Sequence, residues 1–150
     1  MKHTRVFRDS NHLPIVADLR RDNYGVIDCA ALGQSIPDIV VANQDGNTAL
    51  VEIKLPEGRF YLSQLVFLAK WQGYCGFAQT TQDAKNIVDS PDDYSLNKRQ
   101  REVILGIVAE DLTDVGRRGK ASLGKEQITV KKFERLFEEK YGVKIDTGYE

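Results

Sequence analysis

The sequence predicts an α/β fold in which a mixed central sheet is flanked by helices and followed by a helical C-terminal extension. Two β-rich runs, 38–42 and 48–54, surround an Asp45-Gly46 turn and announce a hairpin. Helical and extended segments alternate in the order αβββαβα as far as residue 88, and beyond Ser90-Pro91 the pattern turns helical. Residues 1–90 are expected to form the core and 91–150 an extension packed on it or appended to it.

The elements follow in order. Leu13, Ile15, Val16 and Leu19 recur at spacings of two to four, with Asp9 or Ser10 available as a cap, so 11–21 is expected to be a helix with Pro14 in its first turn. Asp22-Asn23-Tyr24-Gly25 is a turn and 26–30 a short strand. The hairpin strands are apolar on both faces, as in a sheet covered by helices on its two sides, which puts the hairpin in the centre. Tyr61, Leu65, Leu68 and Trp71 then mark an amphipathic helix, with Trp71 expected in the core. A strand over 74–79 and a helix over 81–88 complete the alternation, and helices are expected over 97–110 and 129–141.

At 150 residues the chain can bury a core without disulfides or structural metals. A composition 41% hydrophobic and 29% charged excludes a disordered chain. No apolar run approaches the ~20 residues that span a bilayer. The start, Met1 to Asp9, lacks the apolar stretch of a secretory signal, so the protein is expected in the cytoplasm. Cys29 and Cys75 have no metal-type spacing and are expected to be reduced core thiols. The net charge of −1 carries no global basic signature, so affinity for a polyanion would need a local patch or a metal.

Strand alternation turns Glu52 and Lys54 to one side and Ile53 to the other. A carboxylate and an ammonium at the end of a buried strand are costly unless they bind something. Asp38, on the paired strand, can share a pocket with Glu52. Two converging carboxylates, completed by a backbone carbonyl and water, form a hard-oxygen site suited to Mg²⁺ or Mn²⁺. Such an ion activates water and stabilises charge on a reacting phosphate, which an adjacent ammonium can hold.

Pro37-Asp38, thirteen intervening residues and Glu52-Ile53-Lys54 resemble the signature of the PD-(D/E)XK (restriction-endonuclease-like) nuclease superfamily. The surrounding segments, Asp9-x-Asn11-x-x-x-Ile15-Val16-x-x-Leu19-Arg20 and Gln64-x-x-Phe67-x-x-x-Trp71-Gln72-Gly73, are similar to its VRR-NUC and phage Holliday-junction-resolvase-like branch. The similarity covers about residues 8–88. It implies Mg²⁺- or Mn²⁺-dependent hydrolysis of DNA, structure-specific at a junction, flap or nick, in phage or bacterial replication, repair or recombination. It further implies Asp38, Glu52 and the Ile53 carbonyl as metal ligands, Lys54 at the phosphate and Gln64 in support. Where several members carry an acid on the first helix, this chain has His12, with Asp9 or Asn11 as substitutes. That departure leaves a second reading open, a nuclease-fold protein that binds DNA or a partner protein without cutting.

His12 itself is expected at a helix cap or on the surface. Arg117, Arg118 and Lys120, set among Gly116, Gly119 and Gly124, suit a loop that contacts DNA phosphates, with Arg59 and Lys70 as further basic candidates. Symmetric cutting of a junction would require a homodimer.

Overall fold

The computed structural model describes residues 8–33, 35–117, 119 and 122–145; Arg118 and Lys120 of the expected phosphate-contacting loop lie outside them. The fold is α/β, a mixed sheet with helices on both faces. Helix α1 (His12–Arg21) is followed by β1 (Gly25–Asp28), a 3₁₀ turn (Ala30–Leu32) and the hairpin β2 (Ile39–Ala42) and β3 (Thr48–Ile53). Then come β4 (Arg59–Tyr61), α2 (Leu62–Lys70), β5 (Tyr74–Ala78) and α3 (Thr81–Asp89). The rest of the chain forms α4 (Pro91–Tyr94), α5 (Lys98–Gly116), β6 (Gln127–Thr129) and α6 (Val130–Tyr141).

The main sheet has the order β1-β2-β3-β5, antiparallel through β3 and parallel from β3 to β5, with the hairpin central as expected. Its turn is held by Asn43, whose side-chain oxygen accepts from the Asn47 N–H at 2.9 Å, and by Gly46 at φ 88°, a left-handed conformation that glycine adopts without strain. Both faces of β3 are buried. Ala49, Val51 and Ile53 pack with Ile15, Val16 and Leu19 of α1 and with Ala84, Ile87 and Val88 of α3. Leu50 faces the other way, toward Leu65 and Leu68 of α2, Ile104 and Ile107 of α5, and Phe133 and Phe137 of α6. Residues of the C-terminal segment thus help form the larger core.

Two strands were not anticipated. Arg59–Tyr61 pairs antiparallel with Gln127–Thr129, in the register Phe60↔Ile128. Each strand is three residues long and buries a single large side chain, too little for a period of two to show. Their partners are also far apart in the chain. The expected burial of Trp71 is corrected as well: α2 stops at Lys70, the backbone at Trp71 turns extended (φ −65°, ψ 133°), and the indole leaves the helical phase. It is 41% exposed and stacks on Phe67 with ring centroids 6.0 Å apart. Gly73 makes room for it, since a Cβ there would lie 2.7 Å from the indole nitrogen.

Arg101 of α5 closes the end of α2. Its guanidinium donates to the carbonyls of Leu68 (3.3 Å), Trp71 and Gly73 (2.8 Å), and its Nε to that of Leu96 (3.0 Å). A cation here also faces the negative end of the helix dipole. Arg101→Ala is expected to cost about 2–3 kcal/mol, read as a lower urea midpoint at unchanged slope.

Candidate active site

The site forms where β2 begins and β3 ends. The register Ile39↔Val51 sets Asp38 beside Glu52, and the Asp38 carboxylate is fixed because Oδ2 accepts the Ile53 N–H at 2.8 Å. Pro37 is buried just before it. Glu52 is fully buried. Its Oε1 accepts from Gln64 Nε2 at 3.0 Å and lies 3.8 Å from Lys54 Nζ, while Oε2 has no hydrogen-bond partner. Burial, and then the negative charge of Asp38, push the Glu52 carboxyl well above the ordinary range, and Lys54 offsets this only in part.

Gln64 sits at the start of α2, where its Oε1 accepts the Tyr61 N–H at 2.9 Å and its Nε2 reaches Glu52. One side chain therefore links the helix start to the carboxylate. Lys54 lies over the Phe60 ring, Nζ 5.8 Å from the centroid, so an apolar floor directs the ammonium toward the acids. Its backbone N–H donates to the Ala78 carbonyl at 3.0 Å, fixing the end of β3 against β5.

The start of α1 closes the site from the other side. The half-buried Asp9 carboxyl is pushed up by burial; Lys54 pulls it back and Asp38 adds to the rise, which puts Asp9 within electrostatic reach of both. Asn11 Nδ2 donates to the Gln79 carbonyl at 2.8 Å, at the end of β5. His12 corrects the sequence expectation: it is only 1% exposed, neither cap nor surface. Its Nε2 lies 3.1 Å from Asp28 Oδ1 and its Nδ1 4.0 Å from Asp38 Oδ1. Asp28 was not picked out from the sequence, although an acid two residues after Val26 must face the same helix.

The structure thus brings together Asp38, Glu52, Lys54 and Gln64, with the Ile53 backbone between them, and adds Asp9, Asn11 and His12. It does not join Arg117 to them. That side chain is 77% exposed and sits 4.0 Å from Asp114 of its own helix. Arg59 and Lys70 are likewise exposed.

Asp9 Oδ2, Asn11 Oδ1, His12 Nδ1 and Glu52 Oε2 are all buried without a hydrogen-bond partner. A buried acceptor without a donor can be satisfied by a cation, and the oxygens among these atoms suit a hard divalent ion. Among the described residues, no group of three or more His, Cys, Asp or Glu side chains is already arranged to enclose a metal. An ion here would also need the backbone carbonyl and water. Cys29 and Cys75 are buried and unbridged, and no helix among the described residues is long and apolar enough to cross a membrane. No protein-family model, curated protein or solved structure matches the chain.

Proposed function

We propose that this protein is a metal-dependent nuclease of the PD-(D/E)XK type, near the VRR-NUC and Holliday-junction-resolvase-like branch, that hydrolyses DNA phosphodiester bonds. The observation that carries the proposal is Glu52: fully buried beside Asp38, with one oxygen unpartnered and Lys54 Nζ 3.8 Å from the other. A carboxylate is retained in such a place when its charge is used.

Asp38, Glu52 and the Ile53 carbonyl would hold Mg²⁺ or Mn²⁺, and a bound ion supplies activated water and positive charge at the phosphate. Lys54, anchored over Phe60, meets a non-bridging phosphate oxygen as charge develops on it. Gln64 keeps Glu52 in one rotamer, so that little reorganisation is needed during reaction. Arg117, Arg118 and Lys120 contact the DNA backbone, where each phosphate neutralised adds about 0.9 to the salt slope on duplex DNA. The protein works in the cytoplasm, where Cys29 and Cys75 stay reduced, and a homodimer is the form that cuts a junction symmetrically.

The test is incubation of the purified protein with plasmid, single-stranded and four-way-junction DNA. Cleavage of at least one substrate with Mg²⁺ or Mn²⁺, and none with chelator, is expected. Binding without cleavage under every metal would favour the DNA-binding reading instead.

A further inference from the structure

We propose that His12 is a nitrogen ligand of this centre and shifts it from Mg²⁺ toward first-row divalent transition ions such as Mn²⁺. This rests on the metal-dependent reading of the same site. An imidazole buried to 1% exposure needs partners for both ring nitrogens. Nε2 has one, Asp28 Oδ1 at 3.1 Å. Asp28 Oδ1 also accepts the Ala30 N–H at 3.1 Å, and its Oδ2 accepts from Arg8 Nε at 3.2 Å, so both oxygens of this carboxylate face donors. Nε2 is therefore the nitrogen that donates to Asp28, and the lone pair of Nδ1 faces the site.

That lone pair has no partner, and across from it, 4.0 Å away, is Asp38 Oδ1. Two acceptors face each other with no donor between them. A divalent ion about 2.2 Å from each would fit that span and remove the repulsion. The Asp28–His12 pair then orients the imidazole in the way that outer carboxylates orient metal-bound histidines. An all-oxygen site prefers Mg²⁺, whereas one imidazole favours softer ions.

The experiment is pulsed electron paramagnetic resonance on the full-length protein loaded with Mn²⁺, with calorimetric titration of Mn²⁺ and Mg²⁺ alongside. The wild type is expected to show imidazole ¹⁴N coupling that changes to the ¹⁵N pattern when histidine is isotopically labelled. The chain has two histidines, so His3→Gln should keep the coupling and His12→Gln lose it, with the preference for Mn²⁺ over Mg²⁺ falling by ~10-fold or more. If His12→Gln does not fold, labelled wild type beside His3→Gln decides. Bound Mn²⁺ without nitrogen coupling would overturn the proposal, leaving His12 a structural residue packed between Asp28 and Asp38, while the nuclease reading stands. No Mn²⁺ binding would overturn both.

Discussion

Asp38→Ala is expected to abolish DNA cleavage and Lys54→Ala to reduce it steeply, by separate routes. Asp38 Oδ2 holds the Ile53 N–H and its other oxygen faces the unpartnered His12 Nδ1, so its removal would take away a proposed ligand and the acceptor that holds the strand end. Cleavage should fall below detection and Mn²⁺ affinity should drop. Lys54 is different, because an ammonium repels a cation and interacts with the phosphate instead. Calorimetry on Lys54→Ala should therefore still register Mn²⁺ binding, while kcat falls by about 10²–10³-fold, the usual loss for one group that stabilises transition-state charge. Wild-type cleavage by the Asp38 variant would sink the assignment. Loss of Mn²⁺ binding in the Lys54 variant would contradict the division of roles.

The second large effect is on stability and has the opposite sign. Glu52→Gln is isosteric and removes a buried charge, so the metal-free variant is expected to be more stable than wild type by about 1–4 kcal/mol at neutral pH. For a domain of this size that is roughly 2–4 °C in Tm for each kcal/mol. The pH dependence follows from the direction of the shift. With the Glu52 carboxyl raised in the folded state, folding takes up a proton once pH exceeds the ordinary carboxylate value. Wild-type stability should fall as pH rises from there toward the folded-state value, and the variant should lack that contribution. Saturating Mn²⁺ should reverse the ranking, stabilising wild type and leaving Glu52→Gln almost unmoved. Thermal melts across pH, with and without metal, measure all three. A metal-free variant less stable than wild type would mean that Glu52 holds the fold together rather than being kept for its charge.

Most of the main sheet was legible because its signals are local. The Asp45-Gly46 turn and the apolar runs around it specify the hairpin, and alternation along β3 separates Glu52 from Ile53. Helix α2 was legible from Leu65 and Leu68, but its last turn was not, since the end of a helix depends on what caps it, here Arg101 from 30 residues further on. The geometry joining Asp38, Glu52, Lys54 and Gln64 could be anticipated because all four lie within one hairpin and the helix after it. The burial of His12 was legible but missed: it precedes Ile15, Val16 and Leu19 by three, four and seven residues, on the one buried face of α1. Its pairing with Asp28 is a contact between a helix and a strand, which the periodicity of either element alone does not specify. Strands β4 and β6 escaped for a related reason: each is defined by the other.

That last pair sets the order in which the protein can be completed. Arg59 and Thr129 are paired although 70 residues separate them. The Glu126 carbonyl accepts the Leu62 N–H at 3.0 Å at the start of α2, and Gly58, four residues past Lys54, gives its carbonyl to Val130 N–H at 3.0 Å. Contacts of such long range form late, because the loop must close before they return any stabilisation. A ribosome adding about 5–20 residues per second exposes the β2–β3 hairpin several seconds before β6 exists to meet β4. During that interval Phe60, the floor beneath Lys54, lacks Ile128 and Phe133 above it. The emerging chain therefore carries Glu52 and Lys54 in an unfinished setting, and the site is assembled only once β6 has been made.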